Sequence, residues 1–271
     1  MPNPPRLVDA SLDVQDRVAT LTFDRDDVRN ELTGTQLVDD IERTIDWINR
    51  EESVAALIVT GAGRAFSSGG NVKHMLEREG SFGGDAYEVQ KRYREGIQRI
   101  PLAMHRLDVP SIAAINGPAI GAGFDLACMC DIRLASVDAT MAESFVNVGI
   151  IPGDGGAWFL QRLIGYQRAA ELTFSGRVLK ADEAHALGIV LEVVAAGALR
   201  ERAQEMARSF ADKPPQALRL SKRLLKSAQR MELGDFLDHC AVFQGMCHNT
   251  MDHLEAVAAM LDKRRPSFSG R

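Results

Sequence analysis

The stretch Arg64-Ala-Phe-Ser-Ser-Gly-Gly-Asn-Val-Lys73 has a counterpart further along the chain, Asn116-Gly-Pro-Ala-Ile-Gly-Ala-Gly-Phe-Asp125. Each stretch follows an apolar, β-branched run, over residues 54–60 and 111–115, and each turns through glycine into a helical pattern. The first N–H groups of a helix have no partner inside it, and two such turns can aim these groups at one anionic oxygen. The second turn also places an acid, Asp125, just inside its helix. The pair therefore indicates chemistry on a carbonyl whose oxygen gains negative charge.

Small residues occupy the two positions where a substrate carbonyl would approach the main chain. Gly70 has no side chain and Ala122 has only a methyl group, so both permit a close approach. Asp125 follows Ala122 by three residues, which places both on one face of a helix. A carboxyl with apolar neighbours is poorly solvated, and burial raises its pKa toward the range of an acid–base catalyst. Asp125 is therefore a candidate for proton transfer, and a structural hydrogen bond near the helix start is the alternative.

The order of patterns along the chain predicts a layered α/β fold. Alternating apolar residues predict two strands joined by a turn at Gln15-Asp16, and the later strands are separated by helices, as in βαβ units. Beyond Val194 only helical patterns follow. The segments that we predict are strands over 7–12, 18–23, 54–60, 111–115 and 131–135, a loop over 80–85, and helices over 33–50 (capped by Thr33 or Thr35), 87–107, 122–129, 157–164, 199–210, 215–230, 235–248 and 252–264.

Composition limits the classes of function. The 271 residues are 25% charged and 45% apolar with a net charge of −5, which argues against disorder and against broad nucleic-acid binding. The four cysteines make no disulfide framework in a chain of this size, and residues 1–6 lack the apolar core of a signal peptide. No apolar run is long enough to span a bilayer. We therefore expect a cytoplasmic protein that binds neither nucleic acid nor membranes, and the His and Cys spacings near the C-terminus fit no metal site.

The two glycine turns resemble the oxyanion segments of the crotonase superfamily, the enoyl-CoA hydratases and isomerases. Gly149-Ile-Ile-Pro-Gly-Asp-Gly-Gly156 resembles a third loop of that family, and Lys263-Arg-Arg-Pro-Ser-Phe268 resembles its C-terminus. The resemblance runs over nearly the whole chain. It implies a spiral of ββα units over residues 1–197, with the CoA groove and active site, and a helical trimerisation region over 198–271. The implied assembly is a homotrimer or a hexamer made of two trimers.

The resemblance also implies roles for individual residues. The N–H groups of Gly70 and Ala122 would form the oxyanion hole for an acyl-CoA thioester. CoA would be part of the substrate, and no separate cofactor or metal is implied. The residues that would bind the substrate are Val28, Arg29, Ser68, Asn71 and Val72 in the CoA groove, together with Phe145.

The acids depart from the pattern of the two-glutamate hydratases. Asp125 stands where that pattern has the first glutamate, and Phe145, which cannot transfer a proton, stands at the position of the second. Asp154 offers a substitute, with capping of the helix over 157–164 as the alternative role. Glu143 is a weaker candidate because the resemblance places it away from the catalytic position.

Three functions remain open from the sequence. Hydration of a 2-enoyl-CoA, with Asp125 assisted by Asp154, is the first. Isomerisation of an enoyl-CoA or dienoyl-CoA double bond is the second, because displaced aspartates can move a proton without activating water. A CoA-ester-binding protein with little catalytic activity is the third, and Phe145 is the residue that keeps it open.

Overall fold

The protein is described here by a computed structural model covering residues 4–270. Over these residues the backbone forms nine strands, two of them only two residues long. The strands are Ala10–Gln15 (β1), Val18–Phe23 (β2), Ala56–Gly61 (β3), Ser111–Ile115 (β4), Ala119–Ile120 (β5), Ile132–Ser136 (β6), Thr140–Ala142 (β7), Leu179–Lys180 (β8) and Glu192–Val194 (β9).

Twelve α-helices cover these strands or extend beyond them within residues 4–270. They are Leu37–Arg50 (α1), Val72–Glu77 (α2), Ala86–Glu95 (α3), Arg99–Arg106 (α4), Ala122–Met129 (α5), Gly156–Ile164 (α6), Tyr166–Ser175 (α7), Ala181–Ala186 (α8), Leu199–Ala211 (α9), Pro215–Ser227 (α10), Leu233–His248 (α11) and Met251–Leu261 (α12). Short 3-10 helices cover Asp26–Val28, Gly80–Phe82, Ser144–Val148 and Ala196–Ala198. None of the helices in residues 4–270 has the length and apolar character needed to cross a membrane.

The main sheet has six strands in the order β1-β2-β3-β4-β6-β9. β1 and β2 form an antiparallel hairpin, and every other neighbouring pair is parallel. Parallel strands need crossover connections, and the helices between them place apolar side chains on the sheet. All five residues of β4 are buried, as expected for a central parallel strand. A second sheet, ordered β5-β7-β8, lies beside the second glycine turn.

The helical region after Val194 has two different parts. In α9, Ala203, Ala207 and Ala211 are buried at four-residue spacing against β2, β3, β4 and β6, because their small side chains let the helix approach the sheet closely. By contrast, no residue of α11 is buried, and this helix packs mainly against α10 and α12. The division of the chain into residues 1–197 and 198–271 stays a prediction.

The first strand begins and ends later than the sequence pattern predicts, whereas the second strand covers residues 18–23 as predicted. β1 runs to Gln15 instead of Leu12, and the turn is Asp16-Arg17 instead of Gln15-Asp16. Both turn residues have positive φ, 52° and 66°. This is the backbone that a two-residue hairpin loop requires to match the twist of its strands, and here it is adopted without glycine.

The predicted helix over 87–107 is two helices, α3 and α4. Gly96, with φ −112° and ψ −111°, breaks the helical path between them. In one continuous helix Pro101 would remove a hydrogen bond from the interior, whereas here it lies in the first turn of α4, where its missing N–H costs nothing. The break directs α3 toward the central cavity described below.

Two further segments differ from their predicted form. The predicted helix over 33–50 begins at Leu37, and neither Thr33 nor Thr35 is its N-cap residue, which is Gln36. The predicted loop over 80–85 contains the 3-10 helix Gly80–Phe82. It ends at Asp85, which caps α3 by exchanging hydrogen bonds with Glu88.

Candidate active site

The two glycine turns lie directly against each other. Ser67 forms a parallel bridge with Ala119, and its carbonyl oxygen accepts a hydrogen bond from Ile120 N at 3.0 Å. A side chain on Gly123 would place its Cβ 2.3 Å from the same Ser67 oxygen, and one on Gly69 would place it 2.9 Å from Ala122 N. Only glycine permits backbone segments to approach this closely.

Side chains outside the first turn hold its backbone in place. Ser67 Oγ donates to Asn30 O at 2.7 Å, and Thr33 Oγ1 accepts from Asn71 N at 2.9 Å. Thr33 therefore supports this turn instead of capping α1. Asn71 itself caps α2 by accepting hydrogen bonds from Lys73 N and His74 N.

Two main-chain N–H groups remain without a protein acceptor. Among the hydrogen bonds formed within residues 4–270, none is donated by Gly70 N or by Ala122 N. Ala122 is the first residue of α5, so its N–H has no partner inside the helix. Both residues line the same cavity. The expected pair of free donors is therefore present at one site.

This central cavity has about 420 Å³ of space not filled by atoms, part of it open to solvent. Its walls are mostly apolar and include a few polar groups, which is the usual character of a small-molecule site. The residues that line it are Thr33, Gly70, Met75, Ser81, Phe82, Arg92, Tyr93, Ile97, Ala122, Phe145, Ile150 and Asp154. A second cavity, open to solvent and including Val72, shares Met75, Phe82, Tyr93 and Ile150 with the first.

The residues predicted to line a CoA groove are near the first turn. Ser68 N donates to Arg29 O at 3.0 Å, and Ser68 Oγ donates to Val28 O at 3.3 Å. Val72 is exposed at the start of α2. The structure therefore brings Val28, Arg29 and Ser68 together with the turn of Gly70, while their role in binding CoA stays a prediction.

Three buried carboxyl groups meet beside the central cavity: Asp125, Glu143 and Asp154, here called the carboxylate cluster. They are 0%, 1% and 3% exposed. The Asp125 carboxyl lies within hydrogen-bonding reach of the other two. Asp154 is the one member that lines the cavity, and Asp125 lies behind it, against the main chain of Gly156.

The acids of the carboxylate cluster are not neutralised by neighbouring groups. Both oxygens of Asp125, both of Glu143 and Oδ1 of Asp154 have no hydrogen-bond donor from other side chains or the main chain. None of the ion pairs within residues 4–270 includes any of the three. Burial and the charges of Asp154 and Glu143 raise the pKa of Asp125 well above its usual value, as the sequence predicts from its apolar neighbours.

The other two acids are shifted in the same direction. Burial raises the pKa of Glu143 to about 7, with the charge of Asp154 contributing. Burial also raises the pKa of Asp154. Burial and the charge of Asp154 raise the pKa of Tyr93, which faces the cavity from α3. The cluster can therefore hold protons near neutral pH, as general acid–base chemistry requires.

Two sequence-based expectations about acids change. The capping role for Asp154 is wrong, because the N-cap of α6 is Gly155 and no side chain caps this helix. Glu143, the weaker candidate, adjoins Asp125 instead of lying apart from it. Phe145 does line the cavity, so the position of a second glutamate is an apolar wall.

Two of the residues that line the cavity, Tyr93 and Arg92, are not singled out by the sequence pattern. Both lie on α3, and Arg92 donates hydrogen bonds to Gly80 O and Gly83 O, which fixes the segment before α3. No group of His, Cys, Asp or Glu in the described residues 4–270 has the geometry to hold a metal ion, the carboxylate cluster included.

Comparisons with known proteins match this chain over almost its full length. The sequence fits the model of a family described as enoyl-CoA hydratase/isomerase over residues 13–271. It is 32% identical over 259 residues to a 1,2-epoxyphenylacetyl-CoA isomerase of Escherichia coli strain K12, covering 95% of this chain and 97% of that protein. It is 33% identical over 259 residues to a short-chain-enoyl-CoA hydratase of Clostridium acetobutylicum, covering 94% and 95%. The crystal structure of an enoyl-CoA hydratase from Bacillus anthracis superposes with a TM-score of 0.89 at 32% identity, covering 97% of this chain and 100% of that one.

Gly123→Ala tests whether the contact between the turns is required. The added methyl group would meet the Ser67 main chain, so we expect the free energy of unfolding to fall by about 1 to 3 kcal/mol, with displacement of the Ala122 N–H. Urea denaturation measures this change. Gly197→Ala is the matched control, because a Cβ there meets no atom within 4 Å. Equal stability of the two variants would contradict the close contact.

Proposed function

The chain belongs to the enoyl-CoA hydratase/isomerase family, and from this premise we propose that it adds water across the double bond of a 2-enoyl-CoA thioester. The match to solved structures confirms the predicted crotonase-like α/β fold class. The observation that supports the proposal most directly is the arrangement of the central cavity. Two unpaired N–H groups, from Gly70 and Ala122, line it together with the carboxyl of Asp154.

The proposed reaction uses one carboxylate in two steps. Asp154 accepts a proton from water while the water oxygen bonds to the β-carbon, and the π electrons move onto the thioester oxygen. The N–H groups of Gly70 and Ala122 stabilise the resulting enolate oxygen. Asp154 then returns the proton to the α-carbon, and the thioester carbonyl forms again. The sum is one water added, so a second acid at Phe145 is not required.

Double-bond isomerisation is the second candidate. Phe145 makes one wall of the cavity apolar, and Asp154 is the one cluster carboxyl that faces it. A single carboxylate can remove a proton from one carbon of the acyl chain and return it to another without activating water. The description of the family, which names isomerases beside hydratases, is compatible with this candidate.

Two remaining parts of the proposal concern cofactors and location. CoA enters as part of the substrate, and the proposed proton transfers require no separate cofactor. A cytoplasmic location is supported by the four cysteines, which are all free.

A homotrimer, or a hexamer of two trimers, is proposed for the assembly. Support comes from apolar side chains on α11 and α12 that remain exposed in the single chain, a pattern typical of an interface. These residues are Leu233, Leu237, Val242, Met246, Met251, Leu254, Val257, Met260 and Leu261.

Two CoA esters separate the activities. With crotonyl-CoA we expect the absorbance of the conjugated double bond to fall, because water addition removes the conjugation. With a 3-enoyl-CoA, a rise in that absorbance would instead identify an isomerase. Unchanged absorbance with both esters, together with measurable CoA-ester binding, would contradict both activities and leave a binding protein.

Asp154→Asn tests the proton-transfer role. The amide keeps the shape of the side chain but cannot accept the proton, so we expect kcat to fall by about a hundredfold or more. Asp125→Asn should lower kcat less, because Asp125 does not line the cavity. Asp182→Asn, at an exposed position of α8, is the control and should leave kcat unchanged. A larger loss for Asp125→Asn than for Asp154→Asn would assign the direct proton transfer to Asp125.

The double variant Leu237→Glu/Leu254→Glu tests the assembly. These leucines are 56% and 59% exposed in the single chain, and charges placed there would oppose burial at an interface. Light scattering after size-exclusion chromatography should show a trimer or hexamer for the wild type and smaller species for the variant. Leu191→Glu, at 57% exposure outside these helices, is the matched control. A monomeric wild type would contradict the proposed assembly.

A further inference from the structure

Glu143 is a buried acid next to the proposed reaction centre, and the mechanism above does not use it. It follows β7 directly, and Ala142 O accepts a hydrogen bond from Gly121 N at 2.9 Å. This bond holds Glu143 beside the turn that presents the Ala122 N–H. Its side chain is 1% exposed, so no shell of bulk water can stabilise its charge.

The polar group that Glu143 reaches is the carboxyl of Asp125. Neither oxygen of Glu143 accepts a hydrogen bond from a main-chain N–H group or from a side chain other than a carboxyl. Two ionised carboxylates are both acceptors and repel each other, so a hydrogen bond between them requires a proton. Among the protein groups of residues 4–270, the carboxyl of Asp125 is therefore the partner with which Glu143 can share a proton.

The same argument applies on the other side of Asp125, where its partner is Asp154. Each of the two contacts among the three carboxyls requires a proton, so the cluster keeps protons that separate acids would lose. Groups that compete for the same protons titrate together, and the proton affinity of each depends on its partners. A change at Glu143 therefore alters the proton affinity of Asp154, and Asp125 transmits this effect because it contacts both.

The charged and titratable groups facing Glu143 do not neutralise it. α5 contributes Asp125 and Cys128, whose pKa is raised by burial to about 12 and which is therefore uncharged near neutral pH. The segment before α6 contributes Asp154, which Tyr93 of α3 faces. Arg133 of β6 lies near Cys128, but its guanidinium donates to the backbone oxygens of Ile189, Ala127, Cys130 and Asp131.

We propose that Glu143 is a positioning residue for proton transfer: by competing with Asp154 for the protons held at Asp125, it raises the proton affinity of Asp154. An ordinary aspartate is too weak a base and too strong an acid to accept a proton and return it efficiently near neutral pH. Glu143 corrects this mismatch without touching the substrate. This inference rests on the proposed function for its catalytic consequence, but the shared protons are a property of the free protein.

Glu143→Gln is the test of the catalytic consequence. The amide keeps the shape of the side chain, but it cannot carry a negative charge and it donates a hydrogen bond to Asp125. Both differences favour ionisation of the remaining two acids. The acidic limb of the kcat/KM–pH profile should therefore move to lower pH by about one unit, on the scale of a like-charge interaction. Glu143→Asp should return the limb toward the wild-type position. Glu201→Gln on the exposed side of α9 is the matched control and should leave the profile unchanged.

Stability measured without substrate tests the shared protons independently. The pKa of Glu143 is about 7 in the folded protein against 4.5 for an ordinary glutamate. The folded state therefore binds more protons between these values, and the free energy of unfolding falls as pH rises through this window. Glu143→Gln should make this fall smaller. Infrared spectra of the wild type at neutral pH should also contain the carbonyl band of protonated carboxyl groups.

The outcomes separate the two proposals. A wild type that acts on neither CoA ester would overturn the proposed function, while the stability curves and the infrared band would still decide the shared protons. An active Glu143→Gln variant with an unshifted acidic limb would overturn the positioning role. Parallel stability curves for the wild type and Glu143→Gln, or an absent infrared band, would overturn proton sharing at Glu143.

Discussion

The close approach of two backbone turns is the constraint on which the site depends. Gly123 lies against the carbonyl of Ser67, and Gly69 lies against the N–H of Ala122, at distances that leave no room for a Cβ. The parallel strands β3 and β4 deliver the two turns to the same edge of the sheet. Because ligand sites in parallel α/β sheets form at the carboxyl ends of the strands, this edge is where free N–H groups can meet a substrate.

A second constraint is the burial of the acids away from bulk solvent. Neither ion pairs nor main-chain donors reach most of the oxygens of the carboxylate cluster. In such surroundings ionisation is costly, and the acids keep protons that would be lost at the surface. The same enclosure strengthens the hydrogen bonds that Gly70 and Ala122 can offer to an enolate oxygen. Burial thus supports both halves of the proposed chemistry.

Local patterns predicted much of the fold and part of the site. Helix α5 begins and ends as predicted, because the backbone leaves the helical conformation at Gly121 on one side and at Cys130 on the other. The predicted helix over 87–107 was wrong in its continuity, since Gly96 and Pro101 act through backbone geometry that apolar periodicity does not contain. Glu143 was undervalued because its importance arises from a contact with Asp125 that only the pairing of β5 and β7 creates.

The placement of the acids has a consequence for the geometry of the reaction. Phe145 places an apolar ring in the cavity where the two-glutamate pattern has its second acid, so the protons of the proposed reaction move at Asp154, which also lines the cavity. The two acids that would set its proton affinity, Asp125 and Glu143, are buried away from solvent. In the proposed reaction the cluster thus takes the place of a second glutamate by adjusting the proton affinity of one carboxyl.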